Sequence, residues 1–65
     1  MEKNEAYSGV VVGHSRAGIY IDLENGVRAF SFHGAAEGSR VICGVRSTSD
    51  KYPFPCVVVE SVLYN

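Results

Sequence analysis

Three cationic and three aromatic side chains fall where they could act together: Arg16, Tyr20, Arg28, Phe30, Phe32 and Lys51. Exposed aromatic rings offer a stacking surface to any nucleobase, and interleaved Arg or Lys neutralise phosphates, so this combination suits a short single strand of RNA or DNA. A second chemistry is carried by Lys51-Tyr52-Pro53-Phe54-Pro55. Tyr52 and Phe54, stiffened by two prolines, form a preorganised apolar knob of the kind that docks on a protein partner or on a second copy of the chain. The same loop could instead fold back and cap one end of the fold.

Catalysis finds little support. His14 and Ser15 are sequence neighbours, which points their side chains apart, and no carboxylate is placed to orient the histidine. His14, His33, Cys43 and Cys56 are the right residue types for zinc but lack paired ligand spacing. Gly13-His14-Ser15-Arg16-Ala17-Gly18 lacks the Lys-Ser/Thr and the following helix of a phosphate-binding loop. The expectation is a non-enzymatic binding module with no cofactor and no metal.

Strands must position these residues. Ile19, Ile21 and Leu23 alternate with Tyr20, Asp22 and Glu24, and strand side chains point to opposite faces with period two, so one face is apolar. Asn25-Gly26 predicts a type I′ turn into a third strand over Val27 to Phe32. There Val27, Ala29 and Ser31 share one face, while Arg28, Phe30 and Phe32 share the other. Whether Phe30 and Phe32 serve the core or an exposed platform stays open, because so small a fold needs nearly every apolar residue inside.

The remaining strands are expected over Ala6 to His14, Arg40 to Arg46 and Cys56 to Leu63. Val41, Cys43 and Val45 should point inward, and Gly9 and Gly13 bracket Val10-Val11-Val12 as bend or bulge points. Gly18 is expected in a conformation other residues resist. His33 to Gly38 has room for one helical turn, residues 1–5 have nothing to bury and should fray, and Ser47 to Pro55 reads as a loop. Five short strands with Gly-rich corners point to an all-β, five-stranded barrel, since closure removes the exposed edges of so apolar a sheet.

At 65 residues the chain is a single domain, and its formal net charge of −1 supplies no global attraction to polyanions. No apolar run has the length of a membrane helix and no signal peptide is evident, so a cytoplasmic protein without membrane association is expected. Cys43 and Cys56 read as buried structural thiols, with a disulfide between adjacent strands as the alternative.

Gly9-Val10-Val11, Gly18-Ile19-Tyr20-Ile21-Asp22-Leu23, Val27-Arg28-Ala29-Phe30 and Gly38-Ser39-Arg40-Val41 follow one another in an order and spacing that resembles the S-one type RNA-binding domain. That oligonucleotide-binding (OB) barrel family is similar to bacterial initiation factor one, and the resemblance covers about residues 8–46. It implies an OB-type barrel that binds RNA across its second and third strands, with Tyr20 as the stacking aromatic. Ala17 stands where the family often has an aromatic, Ala29 replaces a glycine, and Phe32 falls where a histidine is common, with His33 one place late. The link between third and fourth strands is also shorter than the family's.

Overall fold

A computed structural model describes residues 4–32, 34–47 and 54–64. His33, Lys51 and Tyr52 lie outside the described residues. Five strands, β1 (Ala6–His14), β2 (Ile19–Leu23), β3 (Arg28–Ser31), β4 (Arg40–Ser47) and β5 (Cys56–Tyr64), form a closed barrel in the order β1-β2-β3-β5-β4, with β4 returning to β1. All neighbours are antiparallel except β3 and β5, which meet in parallel at one rung, Phe30 with Cys56. This is the arrangement of a small OB-type barrel. Among the described residues there is no helix. The expected helical turn after β3 is instead a tight turn, in which Ser39 N–H donates to the Ala36 carbonyl at 3.0 Å.

Alternation decides what fills the barrel. Ile19, Ile21 and Leu23 from β2, Ala29 from β3, Val41, Cys43 and Val45 from β4, Val11 from β1 and Val57 from β5 make the core. In the β-branched run of β1, Val11 alone is fully buried, and the β1–β2 register shifts between Val11 and Gly13, leaving Val12 exposed on a bulge. Of the segment 1–5 expected to fray, residues 1–3 lie outside the described residues, while Asn4 N–H donates to the Val45 carbonyl and Val45 N–H to that of Glu5, next to the β1–β4 ladder.

The β2–β3 turn differs from the expected type I′. Gly26 has φ of 85°, but Asn25 does not join it in the left-handed region. Gly26 N–H donates to the Leu23 carbonyl and Leu23 N–H to that of Val27, both at 2.9 Å. These bonds define a three-residue loop, a type I turn closed by a glycine bulge. Asn25 contributes through its side chain, whose Oδ1 accepts from Val27 N–H at 3.1 Å. Glu24, at the loop start, is tied back to β1: Ser8 Oγ donates to its carboxylate at 2.9 Å.

Gly18 also has a different role from the one expected. Its φ is not in the left-handed region; the constraint is space, because a Cβ there would fall on the Ser31 carbonyl oxygen and lie 3.0 Å from the Phe32 Cα. The start of β2 passes so close to the end of β3 that only glycine fits.

Both thiols are free. Cys43 is fully buried, but Cys56 is half-buried, because it precedes the inward-facing Val57 and so lies on the outer side of the barrel wall. Burial, with a smaller effect of the Glu60 carboxylate, pushes the Cys43 thiol up from 9.0 to about 11. A raised thiol pKa stabilises the fold fully below the unfolded value, and that contribution is lost as pH rises through the folded one. We therefore expect the melting temperature to fall between pH 9.0 and about 11 more in wild type than in Cys43→Ala. Alkylation of the native protein at about pH 8 should add one adduct, at Cys56, with Cys43 reacting only after denaturant exposes it. Two adducts on folded protein would contradict this burial.

Candidate functional site

The three-residue loop sets the β2–β3 register, which pairs Ile19 with Ser31, Tyr20 with Phe30, Ile21 with Ala29 and Asp22 with Arg28. Residues directly opposite share a face. Ile21 and Ala29 therefore point inward together, and Tyr20, Phe30, Asp22 and Arg28 stand on the outer wall as two successive rungs, one aromatic and one ionic.

The aromatic rung extends at both ends. Phe30 N–H donates to the Pro55 carbonyl at 2.9 Å, which anchors the start of β5 beside β3 and brings Phe54 over Tyr20. Ring centroids are 5.6 Å apart between Phe54 and Tyr20, 5.2 Å between Tyr20 and Phe30, and 5.1 Å between Phe30 and Phe32, all edge-to-face. Each such pair contributes about 0.5–1.5 kcal/mol beyond the area it buries. The four rings form a continuous row. Phe32, past the end of β3, is 65% exposed, whereas the other three are half-buried. Phe30 is thus a wall residue whose ring is flanked by aromatics, and Tyr20 is less open than a lone surface tyrosine because Phe54 covers part of it.

The ionic rung is a side-on pair. Arg28 Nε donates to Asp22 Oδ1 at 2.7 Å and Nη2 to Oδ2 at 3.3 Å, with both side chains about half exposed. Hydrogen bonding from Arg28 holds the Asp22 carboxyl below its ordinary 3.8, aided by Coulombic attraction and opposed by desolvation. The depressed value means that the pair's stabilisation is in place above that ordinary value and is lost only as pH falls through the lower folded one. At neutral pH the face therefore carries a compensated pair where the sequence suggested a free cation. Its neighbour Glu24 faces Ser8 instead of the aromatic row.

Of the residues expected to act together, Tyr20, Arg28, Phe30 and Phe32 are brought onto one face, joined by Phe54 from the alternative interface set. Arg16 is exposed on the turn between β1 and β2, at the end of the barrel where β2 begins. Lys51 and Tyr52 lie outside the described residues. Nearby, His14 Nε2 is 3.1 Å from the Ala35 carbonyl, which ties the end of β1 to the β3–β4 connection. Among the described residues no three His, Cys, Asp or Glu side chains gather as a metal site would require. The Asp22–Arg28 pair was not anticipated; the signal for it was the loop length, since a three-residue loop over Glu24 to Gly26 places these residues opposite each other.

The chain matches no protein-family model and no curated protein.

Proposed function

We propose that this barrel is a non-enzymatic module that binds short single-stranded RNA or DNA across the outer face of β2 and β3. The observation that supports this reading is the row Phe54-Tyr20-Phe30-Phe32, a run of rings on one wall that ends in a largely exposed phenylalanine. Bases stack on such rings without regard to sequence, for about 1–3 kcal/mol each. The resemblance of Gly18 to Leu23 and of the β3 residues to the S-one type domain points to the same face. With a net charge of −1 and Arg28 already paired, few phosphates are neutralised. Affinity is then modest and carried by stacking, and it falls with salt less steeply than in a basic protein.

The test is fluorescence anisotropy with a labelled pyrimidine hexamer. Binding should appear at about 100 µM protein in roughly 50 mM salt, a range in which non-specific contacts are normally measurable. Phe32→Ser should weaken it severalfold while leaving the melting temperature within a few degrees, because Phe32 lies outside the core. No binding under these conditions overturns the reading.

One observation favours a second reading. The compensated Asp22–Arg28 pair leaves the aromatic row more apolar than basic, which suits a protein surface or a second copy of the chain. Sedimentation at millimolar concentration distinguishes self-association: a dimer that Phe54→Ser or Phe32→Ser dissociates supports it, and a monomer argues against it.

A further inference from the structure

We propose that the Asp22–Arg28 pair reads one base of the bound strand and favours guanine. This inference rests on the nucleic-acid reading above and adds to it a specificity-determining rung. Asp22 occupies only the side edge of the guanidinium, through Nε and Nη2. The end-on fork, Nη1 with the second N–H of Nη2, has no hydrogen-bond partner among the described residues, and the side chain is half exposed. A guanidinium fork matches the two adjacent acceptors O6 and N7 of guanine, and no other base presents two acceptors side by side on that edge. Free arginine side chains are mobile and contact phosphate as readily as bases. Here the carboxylate fixes the plane of the fork and compensates its charge, which weakens the pull of phosphate without removing the donors.

Position supports the same assignment. The aromatic rung Tyr20–Phe30 and the ionic rung Asp22–Arg28 are consecutive on one face of the β2–β3 ladder. Residues two apart along a strand are separated by about 7 Å. A base lying on Tyr20 or Phe30 is therefore only one rung away from the Arg28 guanidinium. In this arrangement the rings hold the base and Arg28 reads it. Asp22 is a positioning residue, acting through Arg28.

The experiment measures binding of the full chain to four labelled pentamers, UUGUU, UUAUU, UUCUU and UUUUU, with wild type, Arg28→Lys and Asp22→Asn. The wild type should bind UUGUU about tenfold more tightly than the other three, within the range of one bidentate base contact. Arg28→Lys keeps the charge but loses the fork, so the preference should vanish while binding of UUUUU persists. Asp22→Asn removes a negative charge and frees the guanidinium. It should raise affinity for all four pentamers and shrink the preference, an outcome that a purely structural role for Asp22 would not produce. Equal wild-type affinity for the four pentamers overturns the base-reading proposal and leaves the stacking face standing. A guanine preference unchanged in Arg28→Lys overturns it as well. Failure to bind any pentamer removes the nucleic-acid reading and this proposal together.

Discussion

Gly18→Ala should be among the most damaging single substitutions in this barrel, lowering stability by about 2–3 kcal/mol, the upper range for forcing extra atoms into a packed interior. The added methyl would sit on the Ser31 carbonyl oxygen and against the Phe32 Cα, and neither obstacle is the flexible end of a side chain. Relief requires β2 to separate from β3 at the Ile19–Ser31 rung, where both residues are buried. For a chain of 65 residues the whole stability is on the order of 3–10 kcal/mol. The loss is therefore large enough to move a urea midpoint far below that of wild type, or to leave the protein unfolded without denaturant. Gly34→Ala is the matched control, since a Cβ there meets nothing within 4 Å and its φ is ordinary. Its midpoint should stay within experimental error of wild type. A Gly18→Ala protein as stable as the control would mean that the two strands do not approach as closely as described.

Tyr20→Ala should cause the largest loss of binding, because Tyr20 is in the middle of the row and touches both Phe30 and Phe54. Its removal takes away one stacking surface, worth about 1–3 kcal/mol, or roughly 5- to 150-fold in affinity. It also takes from Phe54 the ring contact that holds it to the wall. Since Tyr20 is half-buried, the alanine variant loses some stability too, and Tyr20→Leu separates the two effects. Leucine restores apolar contact with Phe30 and Phe54 but has no π-face. It should melt close to wild type and still bind oligonucleotide at least severalfold more weakly. If Tyr20→Leu binds as wild type does, stacking is not the source of affinity.

The barrel was largely legible because it depends on alternation. Ile19, Ile21 and Leu23 on β2 and Val41, Cys43 and Val45 on β4 lie inside as their period-two spacing requires. The question left open over Phe30, which rested on how few apolar residues so small a fold can spare, is settled by the register that the β2–β3 loop imposes. A two-residue loop at Asn25-Gly26 would set Ile21 opposite Phe30, which sends Phe30 into the core, and Leu23 opposite Arg28, which sends a guanidinium there as well. The cost of burying that charge selects the longer loop, whose added residue shifts the register by one and turns Phe30 and Arg28 to the outer wall. The opposite-face pattern of Arg28 and Ala29 agrees with the longer loop, whereas a type I′ turn at Asn25-Gly26 does not.

Other parts of the site were less readable for a different reason. The placement of Phe54 on Tyr20 depends on a single parallel rung between β3 and β5 and on the bond from Phe30 to the Pro55 carbonyl. Contacts between residues so far apart in sequence have no local pattern. The half-buried state of Cys56, by contrast, follows from alternation along β5, where the adjacent Val57 faces inward. Arg28 was visible as a cation, whereas its pairing with Asp22 was a matter of register.

The binding face is located most directly by titrating isotopically labelled protein with an unlabelled pyrimidine hexamer and following backbone and ring resonances by NMR. The expected result is a set of shifts that saturates with one affinity and clusters at Tyr20, Arg28, Phe30, Phe32 and Phe54, with the core resonances of Ile21, Val41 and Val45 little changed. A spectrum that stays unchanged up to about 100 µM oligonucleotide in roughly 50 mM salt, or shifts confined to β4 and the far end of β5, would contradict a binding site on the β2–β3 wall.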